Sequence, residues 1–439
     1  MKRLFYITTM GCQMNENDSD TLAQHLIVSG LSQIDEYENA DLIIINTCTV
    51  REKAQQKAFS LLGRMIALKK RRPEIILGIM GCIAQQEGAD LLKRHPELDL
   101  VLGTREIVRI PGILNRIEKD GERVVAIDLS ANNNKQVISE GYFQGRLKGF
   151  ISIMEGCNNF CSYCVVPYVR GREKSRSVEY ILGQTENLIS QGVREITLLG
   201  QNVNSYFSSE SGDVDFPGLL YKLSKMKDLF RIRFTTSHPK DLSDDLISCF
   251  RHLTNLCPHI HLPFQSGSNR ILDLMNRGYT REDYFSLINK LRKTRPDIAV
   301  TSDVIVGFPG EDEDDFNMTL DLVEKIEFDN LFSFIYSDRK GTIAEKMDKK
   351  ISEDIKLSRL KILQAIQRDI TLKKNKLLEG KELEIFVEGL SKKGDQLTGR
   401  TLSNKVVNFN CDINNIGKLT KVIIERSFVN SLQGVLLNN

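Results

Sequence analysis

Cys157, Cys161 and Cys164 lie in the run Gly156-Cys-Asn-Asn-Phe-Cys-Ser-Tyr-Cys-Val165, a Cys-x3-Cys-x2-Cys spacing. The chain has 9 Cys in 439 residues, so random placement would give that spacing roughly 0.004 times. Three thiolates on one short loop can ligate three irons of a four-iron cubane cluster and leave the fourth open. An open iron is a place for a substrate or cofactor to bind, as the open position of a catalytic zinc site is. A closed structural zinc site would need a fourth ligand nearby, and none follows closely. The loop is therefore read as a catalytic cluster site in preference to structural metal or unpaired core thiols.

A second trio is spread over the first ~120 residues, where short apolar runs alternate with longer amphipathic ones in the manner of β-α units on a parallel sheet. The runs Leu4–Thr8, Asp41–Ile45 and Ile75–Met80 read as strands, and Arg51–Arg72 as a helix stopped before Pro73. Each strand is followed closely by a cysteine: Cys12, Cys48 and Cys82. Ligands of open parallel sheets gather beyond the carboxyl ends of the strands. Three cysteines in matching positions point to a second cluster, again with three protein ligands, whereas isolated core cysteines would have no reason to match. Residues 121–146, with the polar run Ala131-Asn-Asn-Asn-Lys-Gln136, read as a linker.

From 147 to 375 strand and helix signals alternate again. Strands are expected at Lys148–Met154, Glu195–Leu199, Arg231–Thr235, His259–Leu262, Ile298–Val306 and Leu331–Tyr336, with helices such as Ser177–Ser190, Asp241–His252 and Arg281–Thr294 between them. Six parallel strands with crossover helices make a three-quarter barrel, a partial (β/α)6 barrel, or a strongly curved sheet, whose functional groups sit at the carboxyl strand ends. The Cys157 loop follows the first of these strands. Gln201, Asn202, Ser237 and Gln265 follow later ones, and Asp303 lies within the fifth. Such amides, hydroxyls and carboxylates at a pocket rim suit a small cofactor, although ordinary turn chemistry uses the same residue types. His238 and His261 read as structural histidines. Arg170, Arg172, Lys174 and Arg176 put four cations in seven residues. They form either a solvated face or a phosphate-binding loop beside the site; Lys69-Lys-Arg-Arg72 reads as a helix end matched to its dipole.

A long helix, Ile351–Lys376, leads into a tail of five short strands punctuated by glycines. That pattern predicts a small β-barrel over 376–439, of a kind that often binds RNA. The segment from Lys376 carries nine Lys/Arg against seven Asp/Glu, which leaves a structural cap as the other reading. The whole chain holds 60 basic and 58 acidic residues, so any RNA surface has to be local. The amino terminus has no secretory apolar core and no stretch approaches the length of a membrane span. Nine clustered cysteines suit metal better than disulfides and predict a reducing cytoplasm.

Taken together, these motifs resemble the radical S-adenosylmethionine superfamily and, within it, the methylthiotransferases, whose tail is the TRAM domain. Gly11-Cys-Gln-Met-Asn15 with Asp18-Ser19, Asn46-Thr-Cys-Thr-Val-Arg-Glu52, Val166-Pro-Tyr168 and Leu199-Gly-Gln-Asn-Val-Asn-Ser205 are most similar to the tRNA-modifying branch. The resemblance covers nearly the whole chain. It implies an α/β protein with three parts: an N-terminal open parallel domain over 1–120, a radical-SAM barrel over 147–375 and a TRAM barrel over 376–439. It implies two 4Fe-4S clusters, with the open iron of the Cys157/Cys161/Cys164 cluster binding S-adenosylmethionine, for which the strand-end residues Gln201, Asn202, Ser237 and Gln265 and the strand residue Asp303 are the candidate further contacts. The implied reaction puts a methylthio group on C2 of N6-dimethylallyladenosine at tRNA position 37, using two S-adenosylmethionine per turnover. The Cys157 cluster would start a 5′-deoxyadenosyl radical, and the Cys12/Cys48/Cys82 cluster would deliver the sulfur. A flavodoxin or ferredoxin would supply electrons, and a sulfur carrier or iron–sulfur assembly protein the sulfur, to a cytoplasmic monomer. Siblings act on a ribosomal-protein aspartate or on a threonylcarbamoyl adenosine. A rival of another class is a non-catalytic iron–sulfur RNA-binding protein, disfavoured because both trios lack a fourth ligand. The chain departs from the family at Phe207, where glycine is expected, and at Lys340 and Ile343, where proline is common. Cys249, Cys257 and Cys411 match no family ligand.

Overall fold

The computed structural model describes residues 3–49, 52–130, 137–210 and 212–437, with side chains of 52–54 excepted. Val50, Arg51 and the expected linker run Ala131–Gln136 lie outside the described residues. The first sheet is wholly parallel and orders its strands Ser32–Gln33, Leu4–Met10, Leu42–Thr47, Ile76–Gly81, Leu100–Leu102, Val124–Ala126. Leu42–Thr47 and Ile76–Gly81 are buried throughout, which is why they read as unbroken apolar runs. Helices Gln13–Val28 and Ile110–Asp120 cover one face and Glu52–Arg71 the other. The strand direction of travel reverses between Leu4–Met10 and Leu42–Thr47, and that switch point is where a ligand crevice opens in such sheets. One expectation is corrected here. Val124–Ala126, placed in the linker by the sequence, pairs in parallel with Leu100–Leu102 as the sheet's last strand.

The middle domain has two three-stranded parallel sheets, Lys148–Ser152 with Glu195–Leu199 and Arg231–Phe234, then His259–His261 with Ala299–Val306 and Asn330–Ile335. Backbone bonds from Ile232 to Asn255 and Cys257 join them edge to edge. The result is a six-stranded partial barrel, its helices packed outside around one continuous core.

The long helix Glu353–Lys376 packs on Asn330–Ile335 and leads to the tail, a closed barrel of Glu382–Leu390, Leu397–Thr401, Val406–Asn410, Leu432–Leu436 and Leu419–Ser427. This barrel sits on the amino ends of the middle strands. Arg231, the first residue of its strand, donates to Arg400 O at 2.7 Å, and Arg233 donates to Leu402 O at 2.9 Å and Thr401 O at 3.0 Å. Lys148 pairs with Glu388, and Lys405 with Asp329. Among the described residues, no helix is long and apolar enough to cross a membrane.

Candidate radical-SAM active site

The first trio stands at the carboxyl ends of three neighbouring strands. Cys12 opens the helix Gln13–Val28, Cys48 follows Leu42–Thr47 directly, and Cys82 begins the short helix Cys82–Glu87. An amide network fixes their backbones. Asn15 donates to Asn46 Oδ1 at 2.9 Å and to Thr47 O at 3.1 Å. Asn46 donates back to Asn15 O at 2.8 Å, and the Cys12 thiol donates to Asn15 Oδ1 at 3.1 Å. Gly81 turns the chain at φ +93°, where a Cβ would meet Asn46 Oδ1 and Thr47 O at 2.5 Å. A hydrogen bond with the Cys48 side chain pulls the Cys12 thiol down to about 5, and the Arg170 charge adds to it. Burial pushes Cys82 up. Thiolate is the form that binds iron.

Cys157, Cys161 and Cys164 stand on the loop after Lys148–Ser152 and Met154–Glu155. Gly156 (φ +80°) lets that loop pass so close to its own return that a Cβ would lie 2.2 Å from Arg172 O. Gln201 holds the loop by accepting from Gly156 N. Arg277, buried beneath the loop, donates to Cys161 Sγ at 3.4 Å and to Pro263 O at 2.9 Å. Burial lifts Cys164 to about 12, with Cys161 contributing second, so ligation by metal has to overcome that burial. Among the described residues no three Cys, His, Asp or Glu side chains are placed around a single metal ion.

Four buried polar atoms without partners belong to residues at these strand ends, Asn202 Oδ1, Ser237 Oγ, His238 Nε2 and Gln265 Oε1, while others are scattered through the molecule. Native proteins rarely leave such atoms unpaired, and each asks for a partner the protein does not supply. A polar small cofactor fits that demand, with Asn202 steadied by a 2.7 Å bond to Asp241. Burial holds His238 neutral, at about 2, with Arg277 and Lys240 next in effect. Its Nδ1 accepts from Lys240 N at 3.3 Å, so the unpartnered Nε2 of the neutral ring is a donor, where the sequence had read only a structural histidine. Asp303 lies 3.4 Å from His261, whose ring meets Phe332 edge-on at 5.9 Å. Phe332 and Phe334 alternate with residues turned towards the helices, and are 46% and 41% exposed. They line the open edge of the barrel beside Asp303, to which Phe332 is directly opposite.

The four expected RNA-contacting cations divide. Arg172 and Lys174 are exposed. Arg170 and Arg176 do not face solvent: Arg170 pairs with Asp18 at 2.7 Å and Arg176 with Glu155 at 2.8 Å, all buried. Charge spacing alone could not reveal carboxylates supplied from distant segments. Phe207 and Ile343 are exposed, and the Lys340 carbonyl accepts from Gln86.

Three family models match the chain: an uncharacterised family termed UPF0004 over residues 4–103, the radical SAM superfamily over 151–323 and the TRAM domain over 376–437. A tRNA-2-methylthio-N(6)-dimethylallyladenosine synthase of Syntrophus aciditrophicus is 50% identical over 99% of this chain and 95% of its own length. The enzyme of that name from Geobacter metallireducens is 48% identical over 99% and 98%. The chain belongs to this family of radical-SAM tRNA methylthiotransferases. Enzymes of the family transfer a sulfur-containing group and use S-adenosylmethionine with 4Fe-4S clusters. The fold is also similar to a radical S-adenosylmethionine methyltransferase of Kitasatospora setae, at 14% identity and TM-score 0.59 over 75% of this chain and 72% of that one.

Proposed function

We propose that the three parts of this methylthiotransferase divide the work as follows: the first domain, closed by Val124–Ala126, holds the sulfur-delivering cluster; the barrel holds the radical-generating one; the tail serves RNA binding. The carrying observation is the pair of open thiol trios, joined by one short link. Cys164 and Arg170 are six residues apart, and Val165 and Val169 between them pack on Cys82. Cys157, Cys161 and Cys164 would hold one cluster and Cys12, Cys48 and Cys82 the other. When bound, the clusters and S-adenosylmethionine supply the radical that opens an unactivated aromatic C–H bond and the sulfur that replaces the hydrogen. The chain's own residues orient and enclose. Gln201 fixes the cysteine loop, while Asn202, Ser237 and Gln265 offer unpaired polar atoms to the cofactor. Phe332 and Phe334 offer aromatic faces of the kind on which bases stack, and apolar surface for a dimethylallyl group. Arg172 and Lys174 remain as candidate phosphate contacts. Electrons from a flavodoxin or ferredoxin, sulfur from a carrier or assembly protein, a monomeric state and a cytoplasmic setting complete the reading.

The test is mass analysis of tRNA nucleosides from cells lacking this protein, supplied with wild type or with Cys12, Cys48 and Cys82 changed to Ala. Wild type should restore the 2-methylthio nucleoside. The triple variant should leave its prenylated precursor unconverted while still cleaving S-adenosylmethionine in vitro. Methylthio product from the variant would remove those cysteines from sulfur delivery.

A further inference from the structure

Arg170 belongs to the middle domain by sequence, yet its side chain ends in the first domain. Its Nη2 donates to Asp18 at 2.7 Å, on the helix that Cys12 opens, and the two side chains are only 4% and 5% exposed. Its Nη1 is buried and has no hydrogen-bond partner. The residues on either side of this approach fix where it points. Val165 and Val169, just before it, pack on Cys82, and Thr104 at the edge of the first domain donates to Val169 O at 3.0 Å. The guanidinium stands close to the side chains of both Cys12 and Cys82. A buried N–H with no acceptor, beside the Cys12 and Cys82 side chains, marks a missing acceptor between them.

We propose that Arg170 is a positioning residue of the first-domain cluster, its free Nη1 donating to a sulfur of that cluster and its charge offsetting the cluster's negative charge. The inference rests on the reading of Cys12, Cys48 and Cys82 as cluster ligands. It adds that the site is incomplete without the neighbouring domain. Hydrogen bonds to cluster sulfurs and nearby positive charge stabilise the reduced, more negative form and so raise the potential. Asp18 orients the fork, and a planar guanidinium can bridge a carboxylate and a sulfur at once where an ammonium serves as a point charge. The second trio has a comparable partner in Arg277, itself 5% exposed and donating to Cys161. Arg277 supplies the internal control.

The measurement is the midpoint potential and electron paramagnetic resonance spectrum of the full-length chain carrying Cys157→Ala, Cys161→Ala and Cys164→Ala, anaerobically reconstituted so that only the first-domain cluster remains. Iron near four per chain in this background checks the underlying reading, and no iron would end that reading itself. Adding Arg170→Met should lower the potential and shift the spectrum. Arg170→Lys should give a smaller shift in the same direction, and Arg277→Met should leave both unchanged. If Arg170→Met loads poorly, the loaded fraction of Arg170→Lys decides. An unchanged potential and spectrum in whichever variant carries the cluster would overturn the proposal and leave Arg170 as a structural ion pair.

Discussion

Replacing Arg233 by Met should loosen the tail barrel from the rest of the molecule. Arg233 is 7% exposed and spends its guanidinium on three partners: Leu402 O at 2.9 Å, Thr401 O at 3.0 Å and the Glu195 carboxylate at 3.1 Å. Two bonds from a charged donor contribute about 1.5–3 kcal/mol each. Removing one side of a buried ion pair is worth about 3–5 kcal/mol, because the other charge stays buried. These terms overlap, since the gain includes the pair, and water can reach the freed carbonyls once the interface loosens. A loss of about 4 kcal/mol is the expected net. Hydrogen exchange reads it directly: amides of Leu397–Thr401 and of Arg231–Phe234 should lose protection by about a thousand-fold, at 1.4 kcal/mol per tenfold. Adding Glu195→Gln to Arg233→Met should recover part of the loss, because no uncompensated carboxylate remains. A loss below about 1 kcal/mol, or no recovery in the double variant, would refute the view that these buried arginines clamp the tail.

Two further outcomes follow from the site. Gly156→Ala forces a side chain onto Arg172 O at a φ of +80°, so the Cys157 loop should shift and the chain should reconstitute with about four irons in place of about eight. An unchanged iron count would show that the loop has slack the structure does not suggest. Phe332→Ala with Phe334→Ala should weaken binding of a prenylated anticodon stem-loop by about ten- to a hundred-fold, given about 1–3 kcal/mol per stacked base. Binding of the unprenylated stem-loop should change less, and equal loss for both would deny these rings a part in recognising the modified base.

Much of this architecture was legible because buried parallel strands carry continuous apolar runs, and the six middle strands stand within a residue or two of where those runs put them. Val124–Ala126 escaped because three residues after Glu122 and Arg123 give no period to read. The cysteine trios were visible through spacing and strand ends. The cations were misread at Arg170 and Arg176 because a run of charge resembles a solvated face, and nothing local announces Asp18 or Glu155 as partners. Arg277, His238 and the Phe332/Phe334 pair act through neighbours distant in sequence, so single-chain patterns could not assign them. The docking of the tail on the strand starts depends on Arg231 and Arg233, which in sequence are only two polar residues in a short strand.

The tail and the reactive mouth lie at opposite ends of the middle strands. Five- or six-residue strands such as Glu195–Leu199 and Asn330–Ile335 separate them by about 17–20 Å. A free nucleoside can occupy the mouth alone. Only a folded RNA long enough to bend past the side of the barrel can hold both ends at once. Each contact then raises the effective concentration of RNA at the other without any new bond. If the tail holds RNA as proposed, its weak charge is no handicap: two modest footholds a fixed span apart select by the length and shape of the molecule between them.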